Sequence, residues 1–234
     1  MYQIVDQTAD FIVVNKAPGI SVHKDQAEAG LTMLLQQDLG LEQIYLVHRL
    51  DKVTSGVMVF ATNAEVAAAL SEQFSNREVS KFYLALSVLK PKRKQGLVCG
   101  DMQKSRRGSW KLSRSQHNPA VTQFISSSLK PGFRLFLIKP ATGKTHQIRV
   151  ALKSEGAPIL GDTMYGGQQA DRMYLHAYQL GFSVQGKHFR YTVLPDSGEH
   201  FNQLCKEKVQ AAYDQPELIA WPHIPKFSKA KNHE

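Results

Sequence analysis

His48-Arg49-Leu50-Asp51-Lys52-Val53-Thr54-Ser55-Gly56 sets one carboxylate between two basic residues, just ahead of the apolar run Val57-Met58-Val59-Phe60-Ala61. The apolar run reads as a buried strand, and the Thr-Ser-Gly before it supplies hydroxyls and a flexible backbone for a tight turn. Such a turn presents Asp51 at the mouth of the strand, where a carboxylate beside cations is a candidate catalytic group. A solvated surface ion pair uses the same residue types, so the rest of the chain must decide. Burial alone raises a carboxylate's pKa, so a catalytic Asp51 also needs a nearby cation to stay ionised.

Outward from this run, strand and helix signals interleave. Phe11 to Asn15 is a β-branched run stopped by Lys16-Ala17-Pro18-Gly19. Leu31 to Leu39 has helical spacing and ends at Gly40, and Thr62 with Glu65 offers a capping box for a helix from about Asn63 to Asn76. Lys81 to Leu89 alternates as a strand. Val121 to Ser126 and Phe133 to Lys139 form a hairpin around Lys130-Pro131-Gly132. A short helix is expected from about Thr145 to Glu155, with Gly156 as its stop. Tyr174 to Val184 and His188 to Val193 are strand-like, and Glu199 to Tyr213 is an amphipathic helix. Hairpins outnumber crossovers and no repeat is present. This favours an α+β fold, a single catalytic domain on a mixed, mainly antiparallel sheet flanked by helices. The domain is expected over residues 1–215, with 216–234 an extended basic C-terminal tail carrying Lys226, Lys229 and Lys231.

With 234 residues, 42% of them hydrophobic, the chain can bury a full core. Its net charge of +9 suits a polyanionic partner, most commonly nucleic acid. The cysteines, Cys99 and Cys205, lack disulfide or zinc spacing, which fits a reducing cytoplasm and argues against a structural metal. The polar start, Met1 to Asp10, is no signal peptide, and no apolar run reaches membrane-spanning length, so a cytoplasmic protein without a membrane partner is expected. Residues 90 to 114 hold nine Lys and Arg against the single acid Asp101, with Trp110 inside the stretch. That segment, with Lys104, Arg106 and Arg107, is the candidate surface for the polyanionic partner; the plainer reading is a solvated hairpin.

Two further constellations carry chemistry. Thr142-Gly143-Lys144-Thr145-His146-Gln147-Ile148-Arg149 invites a phosphate-loop reading, but the glycine that motif needs at position 138 is Ile138. Arg149 is instead a partner for a carboxylate elsewhere. In Lys81-Phe82-Tyr83-Leu84-Ala85, residues 81, 83 and 85 share one strand face. With Phe82 and Leu84 in the core, Tyr83 stands in a cleft, where an unstacked base can use an aromatic surface.

Taken together, these residues resemble the RluA-type pseudouridine synthases. His48 to Gly56 matches that family's His-Arg-Leu-Asp-x-x-Thr-Ser-Gly at every fixed position. Val13 to Lys16 through His23, Lys81 to Ala85, Ala120-Val121-Thr122, Thr142 to Arg149, Gly156 to Asp162 with Tyr165-Gly166, and Leu175-His176-Ala177 follow in the family's order. The resemblance implies conversion of a uridine in folded RNA to its C-glycoside isomer, without cofactor or metal. It implies Asp51 as catalytic carboxylate, Tyr83 packed on the target base, Arg149 paired with the carboxylate, and Ile148 in the pocket's apolar wall. Arg49 would enter the RNA stack where the base leaves, and His48 and Thr54 would line the substrate site. Lys16-Ala17-Pro18-Gly19 departs from the usual Lys-Pro-x-Gly, and Lys144 stands in place of an arginine. No S4-type module is expected, so RNA capture falls to the domain's own surface. The expected partner is an rRNA or tRNA stem-loop, and the expected state a monomer. A non-catalytic RNA-binding protein using the same basic cleft is the alternative; a glycosidase-like hydrolase would need a second placed carboxylate.

Overall fold

The structure, a computed structural model, describes residues 1–22 and 30–225. His23, at the end of the first family-like segment, and the tail lysines Lys226, Lys229 and Lys231 lie outside the described residues. The elements run β1 (Tyr2–Gln7), β2 (Phe11–Lys16), α1 (Leu31–Leu39), β3 (Tyr45–Leu46), β4 (Ser55–Ala61), α2 (Ala64–Asn76), β5 (Ser80–Ser87), β6 (Gln95–Lys104), β7 (Trp110–Leu112), β8 (Pro119–Lys130), β9 (Phe133–Pro140), α3 (Gln147–Ser154), β10 (Leu175–Val184), β11 (Lys187–Thr192) and α4 (Gln203–Tyr213). The main path of the sheet is β1-β2-β4-β10-β5-β9-β8-β6-β7, with β3 on β4 and β11 on β10. Among the described residues only the β4–β10 pairing is parallel, so the expected mixed, mainly antiparallel α+β fold is found.

Why the central strands look as they do follows from burial. Every residue of β2 and β4 is buried, which requires cover on both faces and explains runs that are apolar without alternation. The cover on one side comes from α2, which packs against β4 and β10. On the other half of the sheet, α3 packs against β8 and β9, and α4 against β8. Two apolar cores result. One gathers Phe11, Val13, Leu35, Met58, Phe60 and Leu70; the other gathers Phe82, Phe124, Phe136, Leu152, Tyr178 and Val209. Tyr83 packs against both, so it stands on the seam between them.

Several boundaries differ from the expected ones. The cap of α2 is Asn63, whose side chain accepts from Val66 N at 2.9 Å. Thr62, expected as the capping residue, instead donates its hydroxyl to Ala9 O at 2.6 Å. Helix α3 begins at Gln147 rather than Thr145 because His146 adopts a left-handed backbone, φ 56°. Helix α4 begins at Gln203 behind the cap Asn202 rather than at Glu199. The polar start, which gave no strand signal, forms the edge strand β1 against β2. Past residue 215 the chain runs back over the sheet. The Trp221 ring lies 5.8 Å from that of Phe82 and its indole donates to Pro216 O at 2.8 Å.

Candidate active site

The loop carrying Asp51 is held from below by backbone and by buried polar groups. Thr54 N donates to Asp51 O at 3.0 Å, closing the turn the sequence suggests, and Gly19 N donates to Lys52 O at 2.8 Å. Lys16 is fully buried, and its ammonium donates to the carbonyls of Ala17 (2.9 Å), Ile20 (3.0 Å) and Lys52 (3.2 Å). Burial, and next the charge of Arg172, lowers its pKa to about 7 against an opposing pull from Asp51. Lys16 therefore ties the 17–20 turn to the loop that carries Asp51. This gives the lysine of the first family-like segment a physical task.

At the far end of the loop, Ser55 and Gly56 pair with His176 and Ala177 of β10. His176 Nε2 lies 2.8 Å from Val193 O, a pure acceptor, so that nitrogen carries the proton and Nδ1 accepts from Ser55 Oγ at 2.8 Å. Ser55 Oγ in turn accepts from Arg172 Nη2 at 2.6 Å. Burial above all lowers the His176 pKa to about 4, which keeps the imidazole neutral. A Ser–His pair of this kind suggests nucleophilic catalysis in outline. Here the hydroxyl is buried under a guanidinium and has no open side, so its part is to fix the loop. Gly56 has φ 118°, and a Cβ there would sit 2.2 Å from Ala177 O; no other residue lets the loop enter the strand so close to β10.

The opposite wall is built by the start of α3. Gln147, buried, accepts from Thr142 Oγ1 (2.7 Å) and Lys144 N (3.0 Å) and donates to Val121 O (3.1 Å) and Thr122 Oγ1 (3.0 Å). These bonds fold residues 142–146 over the helix start and account for a Thr-Gly-Lys-Thr stretch that is no phosphate loop. Ile148 and Arg149 then face the loop of Asp51. Arg149 lies with Nη1 at 3.6 Å from Asp51 Oδ2, so the two are brought together as expected. Its stronger partner is one the sequence reading gave no role. Asp162 accepts from Nε and from Nη2, each at 2.8 Å. Burial alone would lower the Arg149 pKa, but the bonds and charge of Asp162, with the charge of Asp51, outweigh it and raise it.

Between these walls lies an open cavity of about 410 Å³ that also takes in His48, Arg49, Thr54, Phe74, Lys81 and Tyr83. Tyr83 is half-buried on its floor; burial, and then the charge of Asp51, pushes its phenol pKa up, so the ring stays neutral. Arg49 is exposed at the rim, and Ile148 and Thr54 are buried in the lining. His48 is stacked on Phe74 with ring centres 4.5 Å apart, and its Nε2 accepts from Val59 N at 3.1 Å. Burial, then the charge of Lys81, pushes its pKa down to about 3, so it is a neutral wall. The Lys81 ammonium, its pKa lowered by burial first and Arg77 second, has the Phe74 ring at 5.9 Å and no acidic partner among the described residues.

Lys104, Arg106 and Arg107 are exposed on the β6–β7 hairpin and do not line the cavity. The hairpin nevertheless reaches the site, through Trp110, which pairs with Lys104 beside its turn. Trp110 N donates to the Tyr165 hydroxyl at 2.9 Å, which lies 2.9 Å from His146 Nδ1, while the Arg149 guanidinium sits 4.9 Å above the Tyr165 ring. Asp162, Tyr165, His146, Lys16 and Lys81 are thus the site residues that sequence reasoning left without roles. The one signal for Asp162 was that a buried arginine requires a forked acceptor. Among the described residues, no three His, Cys, Asp or Glu side chains are grouped to hold a metal ion, and no helix is long and apolar enough to cross a membrane.

Known proteins are similar to this chain in sequence and in fold. Residues 10–154 match the family model for RNA pseudouridylate synthase. An uncharacterized RNA pseudouridine synthase of Haemophilus influenzae is 51% identical over 219 residues, 92% of this chain and 98% of its own length. The tRNA pseudouridine synthase C of Pasteurella multocida is 32% identical over 77% of this chain and 85% of its own. In fold, the solved human RNA pseudouridylate synthase domain containing 1 superimposes with TM-score 0.73 at 24% identity, covering 90% of this chain and 94% of that one. On this extent of shared sequence, as its likeness to the RluA-type enzymes implied, the chain belongs to the RNA pseudouridylate synthase family.

Proposed function

We propose that this RNA pseudouridine synthase isomerises a uridine in a compact rRNA or tRNA stem-loop, with Asp51 as its catalytic carboxylate and the cytoplasm as its place of work. What carries the reading is the meeting in one cavity of Asp51, Tyr83 and Arg149 from three separate elements. A cavity of about 410 Å³ has room for one extruded nucleotide and not for a paired stem, so the target base must leave its stack. Leaving costs a few kcal/mol, which stacking on Tyr83 and insertion of Arg49 into the vacated place offset.

The reaction breaks the bond from ribose C1′ to N1, turns the uracil, and rejoins it through C5. A carboxylate can open it by attack on the ribose, by attack on the pyrimidine ring, or by removing a sugar proton so that a glycal forms. All three begin with Asp51 as the carboxylate, and the Arg149 cation stands 3.6 Å from it. The apolar Ile148 and the neutral His48 leave the uracil free to turn without a charged grip. The basic hairpin supplies sequence-independent affinity for phosphate. A relative named as a tRNA enzyme supports the tRNA arm of the substrate class.

The test is direct. Purified protein is incubated with total tRNA and rRNA from cells lacking this gene, and new pseudouridines are mapped. Asp51→Asn is expected to form none while retaining RNA affinity within about threefold; one charge altered in the cleft moves binding little. Full activity in Asp51→Asn removes Asp51 from the reaction, and binding without any pseudouridine from the wild type leaves an RNA-binding protein.

A further inference from the structure

Arg149 serves two carboxylates in this fold. Its Nε and Nη2 both donate to Asp162 at 2.8 Å, and only Nη1 is left for Asp51, at 3.6 Å, beyond hydrogen-bonding range. The side chain of Asp162 is 1% exposed against 26% for Asp51, so the stronger bonds go to the dry, unreactive carboxylate. The geometry is enforced. Asp162 follows Gly161, where φ is 83° and a Cβ would lie 1.9 Å from Arg172 O, so the chain is pinned at that point. The Tyr165 ring, 4.9 Å under the guanidinium, blocks rotation out of plane.

We infer that Asp162 is a positioning residue that sets the reactivity of Asp51 by competing with it for Arg149. This rests on the proposed catalytic role of Asp51. A guanidinium bound in a bidentate fork to Asp51 would keep it charged but would occupy the lone pairs that must attack or take a proton. With its fork on Asp162, Arg149 supplies a field across 3.6 Å and leaves both Asp51 oxygens uncommitted among the described residues. Both needs, ionised and free, are met only while Asp162 holds the fork. The other charged and titratable groups around the pair are His146 before α3, Tyr165 after Asp162, Tyr83 on β5 and Lys16 on β2. Among the described residues, none of them donates a hydrogen bond to either carboxylate in place of Arg149.

Asp162→Asn keeps the shape and the backbone bonds by which Asp162 O caps the 163–165 turn, removes the charge, and turns one of the two oxygens that accept from Arg149 into an amide donor, so the fork is broken. Turnover on the mapped RNA is expected to fall roughly 10- to 100-fold with KM little changed, as when a partner orienting a reacting group is lost. A merely structural Asp162 would lower the folded fraction and leave kcat per folded molecule at the wild-type value, which overturns the inference. Should Asp162→Asn fold poorly, the double variant Arg149→Met with Asp162→Asn removes both charges and avoids an unpaired one. Asp162→Asn is expected to cost less than about twofold further in that background, and a full additive loss refutes action through Arg149. A failure of the catalytic reading itself is separate: Asp51→Asn would then stay active whatever Asp162 does.

Discussion

Removing the charges of Lys104, Arg106 and Arg107 together, as glutamines, tests how this enzyme holds RNA. The three are exposed, form no ion pair among the described residues, and sit at the tip of one hairpin. Arg93, equally part of the basic stretch, is bound to Glu155, and its charge is already spent within the fold. Each phosphate neutralised adds about 0.7 to 0.9 to the slope of log affinity against log salt. Three free cations therefore account for a slope of about 2 to 3, and between 50 and 200 mM salt the variant should lose roughly 20- to 40-fold less affinity than the wild type. Fluorescence anisotropy with a labelled stem-loop over a salt series reads this directly. Thermal unfolding should be unchanged, since the residues pack on nothing but the Trp110 ring, 5.9 Å from Lys104 Nζ. An unchanged salt slope with intact folding refutes the argument and makes the hairpin a solvated arm with incidental charge.

Three further outcomes are expected. Tyr83→Ala should lose turnover by more than its loss of folded protein at the assay temperature; turnover that tracks unfolding alone would make Tyr83 a seam-filling residue only. Lys81→Met should raise the denaturation midpoint slightly by removing a desolvated, acid-free ammonium, yet lower kcat/KM about tenfold, the worth of one charge-assisted hydrogen bond; unchanged kcat/KM would exclude contact with the RNA. His176 is held neutral, with its folded pKa near 4 below the unfolded 6.5, so its contribution to stability is complete above pH 6.5 and is lost as pH falls toward 4. Urea unfolding should accordingly weaken by up to about 1.4 kcal/mol per pH unit in that window from this residue, and a flat profile from pH 7 to 5 counts against the buried neutral imidazole.

The strand β4 and the loop that carries Asp51 were legible because local chemistry and long-range packing ask for the same residues there. An all-apolar β4 must be covered on both faces, and Gly56 is required by a backbone only 2.2 Å from its missing Cβ. Tyr83 could be placed in a cleft from alternation alone, since Phe82 and Leu84 are buried on the other face. The start of α3 was misplaced by two residues because His146 takes a left-handed backbone that no spacing announces. Strand β1 escaped because an edge strand of mixed residues has no periodicity to read. Lys16 read as part of a turn; only its three carbonyl acceptors, two of them brought by the chain reversing at 17–20 and one from residue 52, reveal a buried strap.

The reading of Arg149 shows where sequence reasoning of this kind must stop. That a catalytic carboxylate needs a cation is a statement about one pair, and sequence can supply the two residue types. That the cation is shared, and shared unequally, is a statement about three side chains from three segments. It depends on a 0.8 Å difference between 2.8 and 3.6 Å that only the packing of residues 161–165 against α3 creates. The same packing joins the site to the surface, because the Tyr165 that supports Arg149 also receives Trp110 N from the basic hairpin, beside its turn. The proposed RNA-binding hairpin is thus one hydrogen bond from the residue beneath the guanidinium. Binding and chemistry, separable in sequence as a basic stretch and an Asp motif, meet at a tyrosine that belongs to neither.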